Sequence, residues 1–283
     1  MEFSLSEEQE AIFDVAYSFG QENIAPFAIQ WENQGTIPKE LWGKISELGF
    51  GGIYVSEEYG GSGLSRLDAT LIFEALAMAC PSVGSFLSIH NMVGGMIDKF
   101  GSDQNKESFL PDLCSMKKIF SYCLTEPGSG SDASALKTKA ARTNEGFILN
   151  GTKSFISGGA YSNAYLTMAR TGEDGPKGIS AIIIEDPSDG LSFGAFEDKM
   201  GWRAQPTAQV QFDDCRVPSD NLIGDEGCGF SYAMAGLDGG RLNIAASALG
   251  GAQFALESSL TYMNERKAFG KNLNQFQALQ FKL

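Results

Sequence analysis

Tyr122-Cys123-Leu124-Thr125-Glu126-Pro127-Gly128-Ser129-Gly130-Ser131-Asp132 is the stretch on which the reading of this 283-residue chain turns. Ile119, Phe120, Tyr122 and Leu124 are apolar and partly aromatic, which predicts a strand. The strand breaks at Glu126-Pro127, and Pro127 keeps Glu126 extended up to the turn. Gly128 and Gly130 let backbone N–H groups come close to a bound group, and Ser129 and Ser131 add hydroxyls. A loop of this kind at a strand end can hold a phosphate or the polar edge of a ring. The same residues also suit a plain surface turn in which Ser or Asp caps the next element.

Upstream of that stretch the pattern is helical. Ser6-Glu7-Glu8-Gln9 reads as a capping box, and Ile12, Val15 or Ala16, Phe19 and Ile24 then recur at helical spacing. A second helix covers Lys39 to Leu48 and stops at Gly49. After a glycine-rich loop from Gly49 to Gly63, Ser65-Arg66-Leu67-Asp68 starts another helix, which Pro81 ends. Further helices run to Phe100 and from Asp103 to Leu113, with Pro111 near the end of the last.

Downstream the period changes to two. Gly146 to Asn150 and Thr152 to Ile156 are strand-like, and Asn150-Gly151 between them predicts a hairpin turn. Ala164 to Arg170, Ile179 to Glu185 and Thr207 to Phe212 come next, with Gly201 to Thr207 as a loop of the β region. Short strands at this spacing predict a compact barrel or sandwich. From about Gly227 the helical period returns. Leu242, Ala245, Ala246, Leu249, Ala252, Leu256, Leu260 and Met263 form a stripe that Gly270 is expected to end, with Ala248, Gly251 and Ala255 opposite for close neighbours. Phe276, Leu279 and Leu283 begin a new apolar pattern. The chain by itself is expected to expose an apolar patch there. The fold class is α+β: an N-terminal helical domain over 1–117, a middle β domain over 118–225, and the beginning of a C-terminal helical domain over 226–283.

The net charge is −14, which argues against nucleic acid or an anionic membrane surface as a general partner. The five cysteines (Cys80, Cys114, Cys123, Cys215, Cys228) are scattered and contain no CxxC, so a disulfide framework is not expected and a reducing compartment fits. His90 is the single histidine; it lies in a helical stretch and reads as a packing residue, which leaves little material for a Ser-His triad or a histidine metal site. The N-terminus has no basic or apolar targeting pattern, and Glu74 interrupts the most apolar helix, so no membrane insertion is expected.

Cys123-Leu124-Thr125-Glu126 followed by Gly130-Ser131-Asp132, with a small residue at Ala135, resembles the signature of the acyl-CoA dehydrogenase family. Helices, then strands, then helices is also that family's order. The resemblance implies an FAD site built from Tyr122, Cys123, Leu124, Thr125, Glu126, Pro127, Gly128, Ser129, Gly130 and Ser131. Gly151 to Gly158 resembles the family's second flavin segment: Phe155 would flank the isoalloxazine and Ser157 would reach its reactive edge, with Ile156 between them also at the cofactor. Read without the family, that stretch is an ordinary strand. Gly236-Leu237-Asp238-Gly239-Gly240-Arg241 is expected to open the long helix, where free N–H groups suit a ligand. By resemblance Asp238, Gly239, Gly240 and Arg241, with Ser131, bind the acyl-CoA; otherwise the stretch is a helix cap with an exposed Arg. Glu265 to Lys271, with Phe276 and Gln277, resembles a segment that reaches the FAD of a neighbouring subunit, with Arg266 on the pyrophosphate. A solvated charged helix end is the plainer reading.

The resemblance implies α,β-dehydrogenation of an acyl-CoA thioester to the 2-enoyl-CoA. No side chain can accept the hydride, so a flavin must. A carboxylate must take the α-proton, and donors must meet the charge that builds on the thioester oxygen. Some relatives carry the base as a Glu immediately before the helix Arg; Gly240 holds that place here. The base is therefore expected beyond Leu283, no catalytic residue is named, and Glu126 belongs to the flavin loop. Ser88 to Met92, Phe155 to Gly158 and Leu237 to Asn243 are similar to the branch of the family that acts on isobutyryl-CoA, which points to a short branched acyl group. An electron-transfer flavoprotein is the implied electron acceptor, and a homo-oligomer, a dimer of dimers, the implied assembly. The implied compartment is the cytoplasm in a bacterium or the mitochondrial matrix in a eukaryote. The competing readings are a catalytically inactive FAD and acyl-CoA binder, and a flavin oxidase or monooxygenase on the same scaffold.

Overall fold

The computed structural model describes residues 4–283; the absence of a targeting pattern at residues 1–3 lies outside the described residues. Six helices come first: α1 (Glu7–Asn23), α2 (Ala28–Gln34), α3 (Lys39–Glu47), α4 (Arg66–Ala79), α5 (Pro81–Phe100) and α6 (Asp103–Cys114). Capping boxes start α1 at Ser6 and α4 at Ser65, as the sequence predicts, and a third starts α6 at Ser102. Each turns two otherwise orphaned N–H groups into hydrogen bonds. Gly49 after α3 sits at φ +77°, the left-handed conformation that stops a helix at least cost to glycine. The short α2 has no counterpart in the sequence reading; Pro26 opens the 3-10 turn that leads into it.

Eight strands come next: β1 (Phe120–Cys123), β2 (Lys139–Arg142), β3 (Gly146–Ser157), β4 (Ala164–Arg170), β5 (Ile179–Glu185), β6 (Leu191–Phe196), β7 (Thr207–Pro218) and β8 (Leu222–Ile223). They form one mixed sheet in the order β6-β7-β3-β2-β4-β5-β8, and β1 pairs parallel with β4. Every residue of β4 is buried, and so are the first six of β5. That explains why their sequences are apolar runs without alternation: both faces of the sheet are covered. Phe120, Leu166, Met168 and Ile183 pack with Val93 of α5 and Leu110 of α6 on one side. Phe147, Leu149, Ile182, Ile184 and Val210 form a separate core on the other. Trp42, Phe73 and Phe86 centre the core of the helical part.

The predicted hairpin at Asn150-Gly151 is not there. β3 runs straight through as one strand, with a bulge between Leu149 and Gly151 in its pairing with β7. Gly151 does use a positive φ, +151°, but to let the chain pass Thr138: a Cβ at this position would lie 2.5 Å from the Thr138 hydroxyl oxygen. The Asn150 side chain meanwhile bonds across the ladder, accepting the Asp214 N–H at 2.9 Å and donating to the Asp214 carboxylate at 3.0 Å. Both residues thus serve a bulge rather than a turn.

The last part is α7 (Gly229–Glu265), then the two-stranded β9 (Lys267–Ala268) and β10 (Lys271–Asn272), and α8 (Gln277–Gln280). Two expectations change here. Gly236 to Arg241 lies two turns inside α7 rather than at its start, so its N–H groups are not free helix-end donors. And α7 ends at Glu265; Gly270, at φ +76° beside Phe269 at +53°, makes the tight β9–β10 turn. Along α7 the close neighbours are met by Gly236, Asn243, Ala246, Ser247 and Gly250, all buried, not by Ala248, Gly251 and Ala255. A Cβ at Gly250 would drive into the Glu74 carbonyl of α4, so the two backbones touch. Leu242, Leu249, Leu256 and Leu260 stay exposed, the apolar surface foreseen from the stripe. No helix among the described residues is long and apolar enough to cross a membrane.

Replacing Gly151 with Ala tests the bulge. The new methyl must displace Thr138 and adopt a φ that L-residues avoid, which should cost about 1–3 kcal/mol. Chemical denaturation of Gly151→Ala beside the parent reads this directly; equal midpoints would contradict the close approach.

Candidate functional site

The loop after β1 is fastened from below. The Glu126 N–H donates to the Ser129 carbonyl at 2.9 Å and the Ser129 N–H donates back to the Glu126 carbonyl at 3.1 Å, closing the Pro127-Gly128 turn. The Ser129 hydroxyl donates to the Asp132 carbonyl at 2.7 Å. The Glu126 carboxylate turns inward, accepting the Lys137 N–H at 2.6 Å, the Thr138 N–H at 2.9 Å and the Lys153 ammonium at 2.8 Å. Burial opposes its charge, but Lys153 and the N–H donors outweigh burial and hold its pKa below the usual carboxylate range. Lys153, fully buried on β3, also donates to the Leu124 carbonyl at 3.0 Å, and burial draws its own pKa down against the pull of Glu126.

The second strand-end element is the last turn of β3. The β3–β7 register shifts between Lys153 and Ile156, and Phe155 sits in that irregularity at φ +58° with its side chain 66% exposed. A bulky residue at positive φ is an outlier, and here it throws an aromatic ring off the sheet. The Ser154 N–H donates to the Thr125 carbonyl at 2.8 Å, which ties the two strand ends side by side.

Between them and the helices lies a cleft of about 660 Å³. Its walls are Tyr122, Leu124 and Thr125; Phe155, Ile156 and Ser157; Ser88, Ile89 and Met92 of α5; and Leu237, Gly240, Arg241, Ile244, Ala245 and Ala248 of α7. The lining is mostly apolar, with hydroxyls at Thr125 and Ser157, a guanidinium at Arg241, and no Asp, Glu or His. The Tyr122 hydroxyl is buried and has no hydrogen-bond partner, a polar atom turned to a site that supplies none. Arg241 forms no ion pair among the described residues. Such a cleft suits a flat, largely apolar ring with a polar edge, next to a chain that carries negative charge.

Three separate motifs of the sequence therefore converge, and others do not. Cys123 is fully buried behind the wall, with burial pushing its thiol up to about 12. Pro127, Gly128, Gly130 and Ser131 lie on the loop, off the cleft. Asp238 is exposed and does not line it. Gly239 faces the other way: a Cβ there would lie 2.6 Å from the Arg66 guanidinium carbon, which in turn lies 3.9 Å from the centre of the Tyr54 ring. Arg266, Phe276 and Gln277 stand past the end of α7 and none of them lines the cleft; Phe276 meets Phe269 edge-on and carries Lys271 over its ring at 4.3 Å. The α5 wall was missed as a site, although the i, i+3 spacing of Ile89 and Met92 and the run 237, 240/241, 244/245, 248 on α7 carry that signal.

His90 holds the α5 wall in place. Its Nδ1 accepts the Phe120 N–H at 3.0 Å, which fixes the proton on Nε2, and Nε2 donates to the Leu113 carbonyl at 3.0 Å. The ring thus joins α5, α6 and β1, the packing role expected of it. All five cysteines are free.

Comparison with known proteins gives the class. Residues 6–117, 121–215 and 227–283 match the family models for the acyl-CoA dehydrogenase N-terminal, middle and C-terminal domains. The mitochondrial isobutyryl-CoA dehydrogenase of Dictyostelium discoideum is 54% identical over 280 residues, and that of Bos taurus 50% identical over 279. Each match covers 99% of this chain and 67% of the relative, so the chain spans about two thirds of their length. Among solved structures, butyryl-CoA dehydrogenase from Megasphaera elsdenii superposes with a TM-score of 0.95 at 38% identity, over all of this chain and 75% of that one. A chain in the structure of the electron transferring flavoprotein of Acidaminococcus fermentans does so at 0.96 and 40%, over 99% of this chain and 74% of that one. PigA with FAD and proline does so at 0.94 and 31%, over 100% and 75%. The fold is that of an acyl-CoA dehydrogenase. The chain belongs to the acyl-CoA dehydrogenase family of oxidoreductases.

Burial lowers the His90 pKa from 6.5 to about 4. The unfolded chain therefore takes up a proton first as pH falls, and stability is lost between about pH 6.5 and 4. Full depression is worth about 3 kcal/mol. His90→Gln cannot charge, so its stability should fall less over that window; parallel pH curves for the two proteins would contradict the assignment.

Proposed function

We propose that this cleft holds the isoalloxazine of FAD and the acyl end of a short branched acyl-CoA, with isobutyryl-CoA as the substrate, in an α,β-dehydrogenase that passes electrons to an electron-transfer flavoprotein. One observation carries the reading: Tyr122, Leu124 and Thr125, then Phe155, Ile156 and Ser157, then Leu237, Gly240 and Arg241, from three separate regions of the sequence, line a single cavity. The unpartnered Tyr122 hydroxyl beside the Thr125 and Ser157 hydroxyls fits the polar edge of a flavin, and Phe155 supplies a flat surface beside it. When bound, FAD supplies the electron sink that the reaction needs.

The rest falls to the chain's own groups. Ile89, Met92, Leu237 and Ile244 give apolar walls that exclude water from the reacting carbons and bound the length of the acyl group. A Cβ at Gly240 would lie 3.2 Å from the Met92 sulfur, so the cavity is narrow at that point and favours a short chain. Arg241 offers an unpaired guanidinium to the polar part of the acyl-CoA. Arg266, Phe276 and Gln277 do not line the cleft of their own chain, and in this reading they serve a neighbouring subunit's cofactor in a homo-oligomer, as their resemblance implies. The similar proteins include mitochondrial enzymes, and the mitochondrial matrix or a bacterial cytoplasm is the proposed compartment.

No carboxylate lines the cleft, so removal of the α-proton is assigned to no residue among the described ones. That same observation favours the second reading, a chain that binds flavin and acyl-CoA without turning them over. Anaerobic titration of the FAD-loaded protein with isobutyryl-CoA separates the two. Bleaching of the flavin band shows that a base reaches the α-carbon; a spectral shift without bleaching shows binding alone. No flavin uptake at all would overturn the proposal.

Arg241→Ala should weaken acyl-CoA binding by roughly 1.5–3 kcal/mol, the range for a hydrogen bond to a charged group. Calorimetric titration with the parent as reference decides it, and an unchanged dissociation constant would remove Arg241 from the site.

A further inference from the structure

Lys153 is the one lysine buried among the described residues, and the ion pair it makes with Glu126 is the one that lies inside the protein. Stability does not explain such a pair, because an apolar pair of the same shape would do as well or better once desolvation is counted. What the pair touches is more telling. The ammonium bridges the Leu124 carbonyl at 3.0 Å and the Glu126 carboxylate at 2.8 Å. The carboxylate in turn holds the N–H groups of Lys137 and Thr138. Leu124 and Thr125 form one wall of the cleft; Phe155 and Ile156, two and three residues beyond Lys153, form the facing one. The bulge that aims Phe155 begins at Lys153. A single buried charge thus sits where the two walls meet, bonded to the backbone of one and built into the strand of the other.

We propose that Lys153 and Glu126 are a positioning pair that sets the separation of the two walls, and through it the affinity of the cleft for a flat cofactor. This rests on the reading of the cleft as the FAD site. Neither side chain lines the cavity, so the pair acts through Leu124, Thr125 and Phe155 rather than on the cofactor.

The test measures FAD affinity by fluorescence quenching and thermal stability on the same samples. Two variants are used: Lys153→Met, which keeps the shape and removes the ammonium, and Glu126→Asp, which keeps the charge and shortens its reach by one methylene. Val217→Ala, in the core on the sheet's far side, is the control for lost stability alone. A displacement of the walls by a fraction of an ångström should raise the FAD dissociation constant roughly tenfold or more in both variants. The control should stay within about twofold of the parent even where its melting temperature falls as far. Parent-like FAD affinity in Glu126→Asp, or an equal loss in Val217→Ala, would overturn the positioning role while leaving the cleft assignment intact. A parent that takes up no FAD would overturn the cleft assignment, and the positioning role with it. Should Lys153→Met fail to fold, Glu126→Asp decides alone.

Discussion

The contact of α7 with α4 and α5 is the constraint on which the rest depends. A helix of 37 residues lies against two others through glycine, alanine, serine and asparagine, close enough that side chains at Gly236 and Gly250 would collide with Met96 and the Glu74 carbonyl. Small residues at a helix contact let the axes approach, and approach fixes the rotation of the helix about its own axis. Once that rotation is set, Leu237, Gly240, Arg241 and Ile244 can only face the end of β1 and β3. The same rotation sends Leu242, Leu249, Leu256 and Leu260 outward. The cleft and the exposed stripe are therefore two sides of one packing decision.

Opposite α7, the floor is a sheet whose strands β4 and β5 are buried on both faces, and whose strand ends at the cleft are held by polar groups. His90 ties α5 to β1, Ser154 ties β3 to Thr125, and the Lys153–Glu126 pair ties the loop to both. Apolar cores are tolerant of small shifts; hydrogen bonds to fixed carbonyls and N–H groups are directional. It is reasonable chemistry that the large interfaces are built from the first and the rim of a binding site from the second. What the cleft holds in shape it lacks in carboxylates and imidazoles.

Much of this is legible in the sequence, and for physical reasons. Capping boxes at Ser6 and Ser65 are local hydrogen-bond patterns, so residues three apart announce them. The buried strands Ala164–Arg170 and Ile179–Glu185 match their predicted bounds because unbroken apolar runs between turn clusters leave little choice. Several of the failures concern glycine, whereas the unforeseen α2 and the α5 wall of the cleft do not. At Gly151 a positive φ serves a bulge past Thr138, and at Gly236 and Gly239 a missing Cβ makes room for Met96 and Arg66; the sequence shows that glycine is required, not whether a turn, a helix end or a neighbour requires it. The partner of Glu126 lies 27 residues away and becomes visible only when β3 is laid beside β1. The site loop was recognised through its resemblance to a family, and its geometry, not its composition, shows which of its residues reach the cavity.

The central claim is that the strand ends of β1 and β3 and the inner face of α7 enclose one flavin. A crystal structure of the chain soaked with FAD tests it most directly. The account predicts ring-shaped density between Tyr122–Thr125 and Phe155–Ser157, with the Tyr122 hydroxyl now hydrogen-bonded. FAD density at another site, or a soaked crystal in which Tyr122 still has no partner, would contradict it.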